Sequence, residues 1–120
     1  MGKRKTPEER EAEQQRYIQA QGASSDAELE PFLTDPNQSI RNAAALNPDA
    51  SAAILARFAK DRFWSVRVAV AEHPNTARET LLGMLEANPA RRGVVHHAAR
   101  ERLEREGVQF GEDGTPIAAD

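Results

Sequence analysis

Two pairs of charged residues recur with the same spacing and are the first candidates for chemistry or recognition. Asp35 lies six residues before Arg41, and Asp61 lies six residues before Arg67. The arginines could face a ligand, or the pairs could form hydrogen bonds that hold the fold together. We favour the structural role, because the pairs recur with the period of the apolar residues, and a single ligand site would not need to do so.

The three histidines are poorly spaced for a metal site. His96 and His97 are neighbours on a predicted helix, so their side chains point about 100° apart, and His73 precedes a proline and is expected in a turn. The chain has no cysteine and no HExxH motif, which excludes disulfides, thiolate zinc sites and cysteine-ligated iron–sulfur clusters. We therefore predict that the protein binds no metal and no cofactor.

Nucleophilic catalysis requires a nucleophile with a base in reach, and the sequence shows no such arrangement. The serines fall where caps and turns are predicted, positions at which serine usually accepts hydrogen bonds from backbone amides. No G-x-S-x-G, P-loop or G-x-G-x-x-G motif is present. Paired carboxylates such as Glu8 and Glu9 lie in a polar, solvated helix. We predict that the protein is not an enzyme.

Basic residues cluster after residue 90. Residues 91–105 contain five arginines and two glutamates, a net charge of +3, and the stretch Lys3-Arg4-Lys5 lies near the N-terminus. Together they could dock on phosphates, although a solvated helix face has this composition more often. Phe63 and Trp64 are the only adjacent aromatic residues. We expect Phe63 to be exposed.

A shift of 26 residues brings the sequence into register with itself, so that 33–48 lies over 59–74. Each copy carries apolar residues at the i, i+3, i+4 spacing of one helix face. The stripes of one element are Leu29/Phe32/Leu33, Leu55/Phe58/Ala59 and Leu81/Met84/Leu85, and those of the other are Ile40/Ala43/Ala44, Val66/Ala69/Val70 and Val95/Ala98/Ala99. Pro48 and Pro74 end the second kind of helix and direct the chain into a turn. The sequence therefore predicts an all-α fold of stacked helix pairs.

The third copy departs from this period, because Val95 arrives three residues late and an insertion lies around 88–93. We assign residues 23–105 to one helical repeat domain of about three 26-residue units. Residues 106–120 contain three glycines and no helical stripe, so we predict a disordered, flexible C-terminal tail.

The N-terminal segment carries the signals of a helix start. Thr6 is a suitable N-cap, Pro7 suits the first turn, and Glu9 completes a capping box. Residues 1–22 are therefore predicted to form a charged helix that caps the stack as a degenerate half repeat.

The middle copy resembles a known family. The pattern Asp61-x-x-Trp64-x-Val66-Arg67-x-Ala69-Val70-Ala71-x-x-Pro74-Asn75-Thr76, followed by Leu81 and Leu85, is similar to that of leucine-rich repeat variant proteins. The resemblance implies a short right-handed α-solenoid related in appearance to HEAT repeats, with hydrogen-bonded ladders between units at the Asp/Arg spacing, and a binding role. It also places an aromatic residue near position 64 as packing, so we expect Trp64 to pack in the core. The cysteine-rich iron–sulfur segment reported for the best-known members has no counterpart here, because the chain has no cysteine.

A binding role leaves two hypotheses. In the first, the repeat surface receives a segment of a protein partner, and the module is non-catalytic. In the second, the protein docks on nucleic acid or a ribonucleoprotein through the basic third copy and the N-terminal tail. The net charge of −3 and the lack of an aromatic platform for bases favour the first hypothesis. The candidate partner-binding residues are Arg41, Asn42, Phe63, Arg67, Arg91, Arg92, His96, His97 and Arg100.

Location is predicted from what the sequence lacks. No apolar run approaches the length of a membrane span, and the basic N-terminus is followed by glutamates rather than by the apolar stretch of a signal peptide. We therefore expect no membrane partner and a cytoplasmic location. Thirteen of the sixteen basic residues are arginine, which together with the many alanines suggests a GC-rich bacterial genome. The sequence identifies neither the partner nor the oligomeric state.

Overall fold

The first helix begins at the predicted capping box. The Thr6 hydroxyl accepts a hydrogen bond from the Glu9 amide at 3.1 Å, and the Glu9 carboxylate accepts one from the Thr6 amide at 3.3 Å. Pro7 occupies the first helical turn, where its missing donor is not needed. These contacts confirm the predicted N-cap and start a helix that runs Pro7–Gly22.

The computed structural model describes residues 4–118, so Lys3 and the other residues of 1–3 and 119–120 lie outside it. In this range the chain forms seven α-helices: α1 Pro7–Gly22, α2 Asp26–Leu29, α3 Gln38–Leu46, α4 Ala52–Phe58, α5 Trp64–Glu72, α6 Arg78–Gly83 and α7 Val94–Arg105. Two 3-10 helices, Glu30–Thr34 and Pro89–Arg91, precede α3 and α7. No strand occurs between residues 4 and 118, where Phe110 and Pro116 form only an isolated bridge. The predicted all-α class is confirmed.

The longer helices pack one against the next. α1 contacts α3, α3 contacts α5, and α5 contacts α7, while the short helices α4 and α6 lie against α5 and α7 respectively. The molecule is elongated, with extents of 56 × 36 × 17 Å. Because each helix covers an apolar face of its neighbour, the core runs along the molecule in two buried clusters rather than around a single centre.

The apolar stripes predicted for α3 and α5 are confirmed. Each of their six members is no more than 4% exposed: Ile40, Ala43, Ala44, Val66, Ala69 and Val70. Leu29, Leu55 and Leu81, which begin the stripes of the shorter elements, are fully buried. Burying a valine, leucine or isoleucine side chain contributes about 1.5–3 kcal/mol, so these positions stabilise the packing of the helices.

The stripe predicted for α7 is confirmed at Ala99 but not at Val95 and Ala98. Val95 and Ala98 are only half-buried, whereas His96, Ala99 and Leu103 are buried. The buried residues follow an i, i+3, i+7 spacing, which places them on one helix face. The prediction followed the apolar residue types, but the insertion before α7 changes the rotational setting of the helix, and a histidine enters the core.

Gly107 ends α7 in a Schellman motif. Its φ of +95° lies in the left-handed region that favours glycine. The Val108 amide donates to the Leu103 carbonyl at 2.9 Å, and the Gly107 amide donates to the Glu104 carbonyl at 3.0 Å. Residues 106–118 contain no helix, but Val108 and Phe110 pack against the cluster that contains Leu103. The first half of the segment predicted to be a disordered tail is thus held against α7 by two apolar side chains.

Candidate functional site

A ladder of Arg–Asp pairs connects the successive long helices. Arg16 on α1 donates from Nε to Asp35 Oδ2 at 2.8 Å, and Arg41 on α3 donates from Nε to Asp61 Oδ2 at 2.8 Å. Each aspartate also accepts a hydrogen bond at 2.9 Å from the amide two residues later, at Asn37 or Phe63. Each carboxylate is therefore fixed both to its own turn and to the preceding long helix, α1 for Asp35 and α3 for Asp61.

Arg41 is a structural residue in this arrangement. Its Nη1 donates to the Asp35 carbonyl at 2.8 Å and its Nη2 to Asp61 Oδ1 at 3.3 Å. The Arg41 and Asp61 side chains are each only 6% exposed. Arg41 was a candidate for partner contact, but burial and these hydrogen bonds occupy its guanidinium, and we remove it from the candidate surface.

The third pair of the ladder is not formed. Arg67 on α5 donates from Nη1 to the Asp61 carbonyl at 2.6 Å, as Arg41 does to Asp35. Within residues 4–118, however, none of its nitrogens lies within 4.0 Å of a carboxylate oxygen. Glu86 is the residue that corresponds to Asp61 in the next copy. Its carboxylate accepts a hydrogen bond from the Asn88 amide at 3.2 Å but none from Arg67. Arg67 Nε and Nη2 remain without a hydrogen-bond partner in the described part of the chain.

A recess of about 330 Å³ lies at this unformed pair. We call it the α5–α7 recess, because it lies between the start of α5, the end of α6 and the start of α7. Its lining includes Trp64, Arg67, Glu86, Arg91, Val94 and His96. Trp64 is 52% exposed and Val94 is 58% exposed. The recess therefore combines apolar surface with an arginine that has no carboxylate partner.

The two aromatic residues take the opposite places from those predicted. Phe63 is half-buried against the core, and Trp64 is exposed and stacks on Phe63 with ring centroids 6.0 Å apart. Phe63 is the N-cap of α5 and precedes the buried Val66 and Val70 by three and seven residues, so the spacing of their helix face reaches it when extended by one turn. Trp64 lies two residues before Val66, about 200° around the helix, and faces away from the core.

His96 is buried at the wall of the recess, with 3% of its surface exposed. Its Nδ1 accepts a hydrogen bond from the Glu86 amide at 2.9 Å, so the neutral ring carries its proton on Nε2. Burial lowers the pKa of His96 below its usual 6.5, and the neighbouring positive charges of Arg92, His97 and Arg100 lower it further. His96 was a candidate for surface contact, but it belongs to the core; His97 is the exposed member of the pair.

Most of the basic side chains predicted to contact a partner are engaged within the protein. Arg92 donates to the carbonyls of Glu86 at 2.7 Å, Ala87 at 3.1 Å and Asp113 at 3.0 Å. Arg100 lies over the Phe110 ring, 4.6 Å from its centroid, and 3.6 Å from the Glu104 carboxylate.

Arg91 differs from the other basic residues of this region. It is exposed, lines the α5–α7 recess, and has no side-chain hydrogen bond or ion pair within residues 4–118. Asn42, the remaining candidate, is half-buried on α3 and does not line the recess. The structure thus brings Arg67 and Arg91 together and leaves Asn42 apart.

A wider cleft of about 610 Å³ lies beside the formed Arg41–Asp61 pair. Lys60 and Arg62 line it and are exposed, whereas its buried carboxylates already have partners: Asp61 pairs with Arg41 of the cleft, and Asp35 pairs with Arg16 outside it. Since no buried group in this cleft lacks a partner, it has fewer features of a ligand site than the α5–α7 recess.

A second ladder, which the sequence did not reveal, crosses the turns before the prolines. Asn47 Nδ2 donates to the Ala20 carbonyl at 2.9 Å, and His73 Nε2 lies 2.7 Å from the Asn47 carbonyl. His73 Nδ1 accepts from the Asn75 amide at 3.0 Å, so Nε2 is the donor. Arg102 continues the series to the His73 carbonyl at 2.5 Å. Asn47 and His73 are buried, and their function is to join neighbouring turns.

In comparisons with known proteins, no family model, curated protein or solved structure matches this chain. Between residues 4 and 118 there is no helix with the length and apolarity to cross a membrane. The same residues contain no group of three or more His, Asp or Glu side chains placed to hold a metal ion.

Proposed function

We propose that the protein is a non-catalytic interaction module that binds a segment of a partner protein in the α5–α7 recess. We further propose that its helices form a short right-handed solenoid of about three units, similar to leucine-rich repeat variant and HEAT-type proteins. The successive packing of α1, α3, α5 and α7, and the two ladders that recur between them, support the solenoid.

One observation carries the binding proposal: Trp64, with 52% of its surface exposed, borders a recess that also contains an unpaired arginine. Tryptophan and arginine are the residues most enriched at the energetic centres of protein interfaces. A tryptophan that faces solvent contributes little to the fold, so its position at a recess favours recognition.

The nucleic-acid hypothesis has less support. It relied on the arginines of residues 91–105 and on the stretch Lys3-Arg4-Lys5. Arg92 and Arg100 are engaged with backbone carbonyls, an aromatic ring and a glutamate, and Lys5 pairs with Glu13 at 2.7 Å. Each phosphate contact requires a cation that is free to meet it. In the recess region only Arg91 and the unpaired donors of Arg67 meet this condition, and two arginines would give weak, salt-sensitive binding.

The proposal can be tested by selecting from a random-peptide display library with the purified full-length protein. We expect the wild type to enrich a set of related peptides and Trp64→Ser to lose them. Leu46→Ser is the matched control, because Leu46 is 55% exposed on α3 and does not line the recess. Failure of the wild type to enrich any peptide would overturn the proposal, as would retention of the same peptides by Trp64→Ser.

A further inference from the structure

We propose that the α5–α7 recess recognises an acidic peptide segment, and that an Asp or Glu carboxylate of the segment pairs with Arg67 in the way that Asp61 pairs with Arg41. The inference rests on the proposed function and adds the chemistry of the partner. The ligand would supply the third carboxylate of a ladder whose first two carboxylates belong to the chain itself.

The formed pairs show what Arg67 is prepared to bind. In Arg41, Nη1 is held by a backbone carbonyl while Nε and Nη2 together face one carboxylate. In Arg67, Nη1 is held by the equivalent carbonyl at 2.6 Å, and Nε and Nη2 have no partner among residues 4–118. A guanidinium fixed at one edge presents its other donors as a fork, which matches the two oxygens of a carboxylate.

The chain's own carboxylate does not fill this place. In the formed pairs, each aspartate accepts two kinds of hydrogen bond. Asp61, for example, accepts one from the Phe63 amide two residues later and one from the Arg41 guanidinium on α3. Glu86 makes the first of these contacts, to Asn88 at 3.2 Å, but not the second. It lies 25 rather than 26 residues after Asp61, in front of the insertion that displaces α7.

Charge in the recess favours a carboxylate over a phosphate. The charged residues that line it are Arg67, Arg91 and Glu86, which sum to +1, and the lowered pKa of the buried His96 leaves that ring neutral at neutral pH. One carboxylate would bring the recess to neutrality, whereas a phosphomonoester, with a charge of about −2, would exceed it.

Two further features describe the rest of the occupant. Trp64 and Val94 give the recess an exposed apolar rim, so the acidic residue should be accompanied by an apolar or aromatic neighbour. His96 Nε2 is the one buried side-chain nitrogen or oxygen within residues 4–118 that has no hydrogen-bond partner. A buried donor without an acceptor is unfavourable, so the residue at this wall of the recess has one polar group whose hydrogen-bonding capacity is unused.

The test uses peptides selected by the full-length protein, each paired with an analogue in which Asp or Glu is replaced by Asn or Gln. Trp64 is the only tryptophan in the chain, so its fluorescence reports binding at the recess directly. We expect the amide analogue to bind the wild type at least about tenfold more weakly, because it loses a charge-assisted pair. In Arg67→Gln the acidic peptide and its analogue should bind alike. Arg62→Gln, which changes an exposed arginine outside the recess, should keep the full difference.

The outcomes separate the two proposals. Selected peptides with no preference for Asp or Glu, or an acid-to-amide difference that persists in Arg67→Gln, would overturn the carboxylate inference and leave the interaction module standing. The absence of any selected peptide would overturn the module itself. A single-stranded oligonucleotide that quenches Trp64 more strongly than any selected peptide, and does so less as salt increases, would overturn both in favour of nucleic acid.

Discussion

Arg41 and Arg67 occupy equivalent places on α3 and α5, so one substitution made at both measures what a formed pair contributes to stability. Arg41→Met would leave Asp61, whose side chain is 6% exposed, with one remaining hydrogen bond, from the Phe63 amide. Removing one member of a buried ion pair typically destabilises a protein by about 3–5 kcal/mol. Because domains of this size are stable by only about 5–15 kcal/mol, Arg41→Met should lose a large part of the total.

Arg67→Met should cost far less. It removes one hydrogen bond, from Nη1 to the Asp61 carbonyl. No carboxylate within residues 4–118 loses a partner, because Arg67 pairs with none of them. A hydrogen bond from a charged group contributes about 1.5–3 kcal/mol when buried. The side chain of Arg67 is only half-buried, so the loss should lie at or below the bottom of that range.

Urea unfolding followed by far-UV circular dichroism gives both free energies, provided that the slope against urea stays constant among the variants. The double variant Arg41→Met/Asp61→Asn is the control, and it should be more stable than Arg41→Met alone because it leaves no unpaired buried charge. Equal losses in the free energy of unfolding of Arg41→Met and Arg67→Met would refute the reasoning. The formed Arg41–Asp61 pair would then contribute no more to stability than Arg67, which has no carboxylate partner in the described part of the chain.

Two further predictions concern the C-terminal part of the chain. The pKa of His96 is lowered in the folded state, so the unfolded chain takes up the proton first as pH falls through about 6.5, and stability should decline there by up to about 1.4 kcal/mol per pH unit. His96→Asn keeps an acceptor for the Glu86 amide, and its melting temperature should fall less than that of the wild type between about pH 7.5 and 5.5. Melting temperatures that fall in parallel in the two proteins would contradict the lowered pKa of His96. Gly107→Ala should lower stability by about 1 kcal/mol, because an alanine is strained at a φ of +95°. Gly22→Ala at the end of α1 is the control and should not lower stability. Equal melting temperatures of the two variants would show that the Schellman turn does not form.

The parts of the fold that follow from local chemistry were predictable from the sequence. The capping box at Thr6 depends on three neighbouring residues, and the buried faces of α3 and α5 depend on a spacing that recurs without interruption. The face of α7 was not predictable in this way. Val95 and His96 compete for one position there, and the choice depends on how the insertion sets the helix against α5, which is a long-range property.

Trp64 and Phe63 show that a family resemblance can mislead where local geometry does not. The resemblance assigned Trp64 to packing. Extending the stripe of Val66 and Val70 back by one turn reaches Phe63, which is the residue that packs. The signal was present in the sequence, and using it would have placed Trp64, the residue most important to the proposed site, on the surface.

The Asp/Arg spacing identified the right residues but not their contacts. Arg41 lies six residues after Asp35 and binds its backbone carbonyl, while its carboxylate partner is Asp61, twenty residues further along. Sequence periodicity shows that a contact recurs, but it cannot show whether the contact lies within a copy or between copies. Only the packing of α3 against α5 decides that.

The same distinction explains why the proposed binding site lies where the 26-residue period of the sequence is interrupted. Where the ladder is formed, each guanidinium and each carboxylate satisfies the other, and the pair has no donors or acceptors left for a ligand. At Arg67 the following residues deviate from the period, the carboxylate stays on its own turn, and a guanidinium that is already held by the Asp61 carbonyl keeps two donor groups free. The repeat thus positions the arginine, and the interruption of the repeat makes it available; neither feature alone would produce a recess that is both rigid and incomplete.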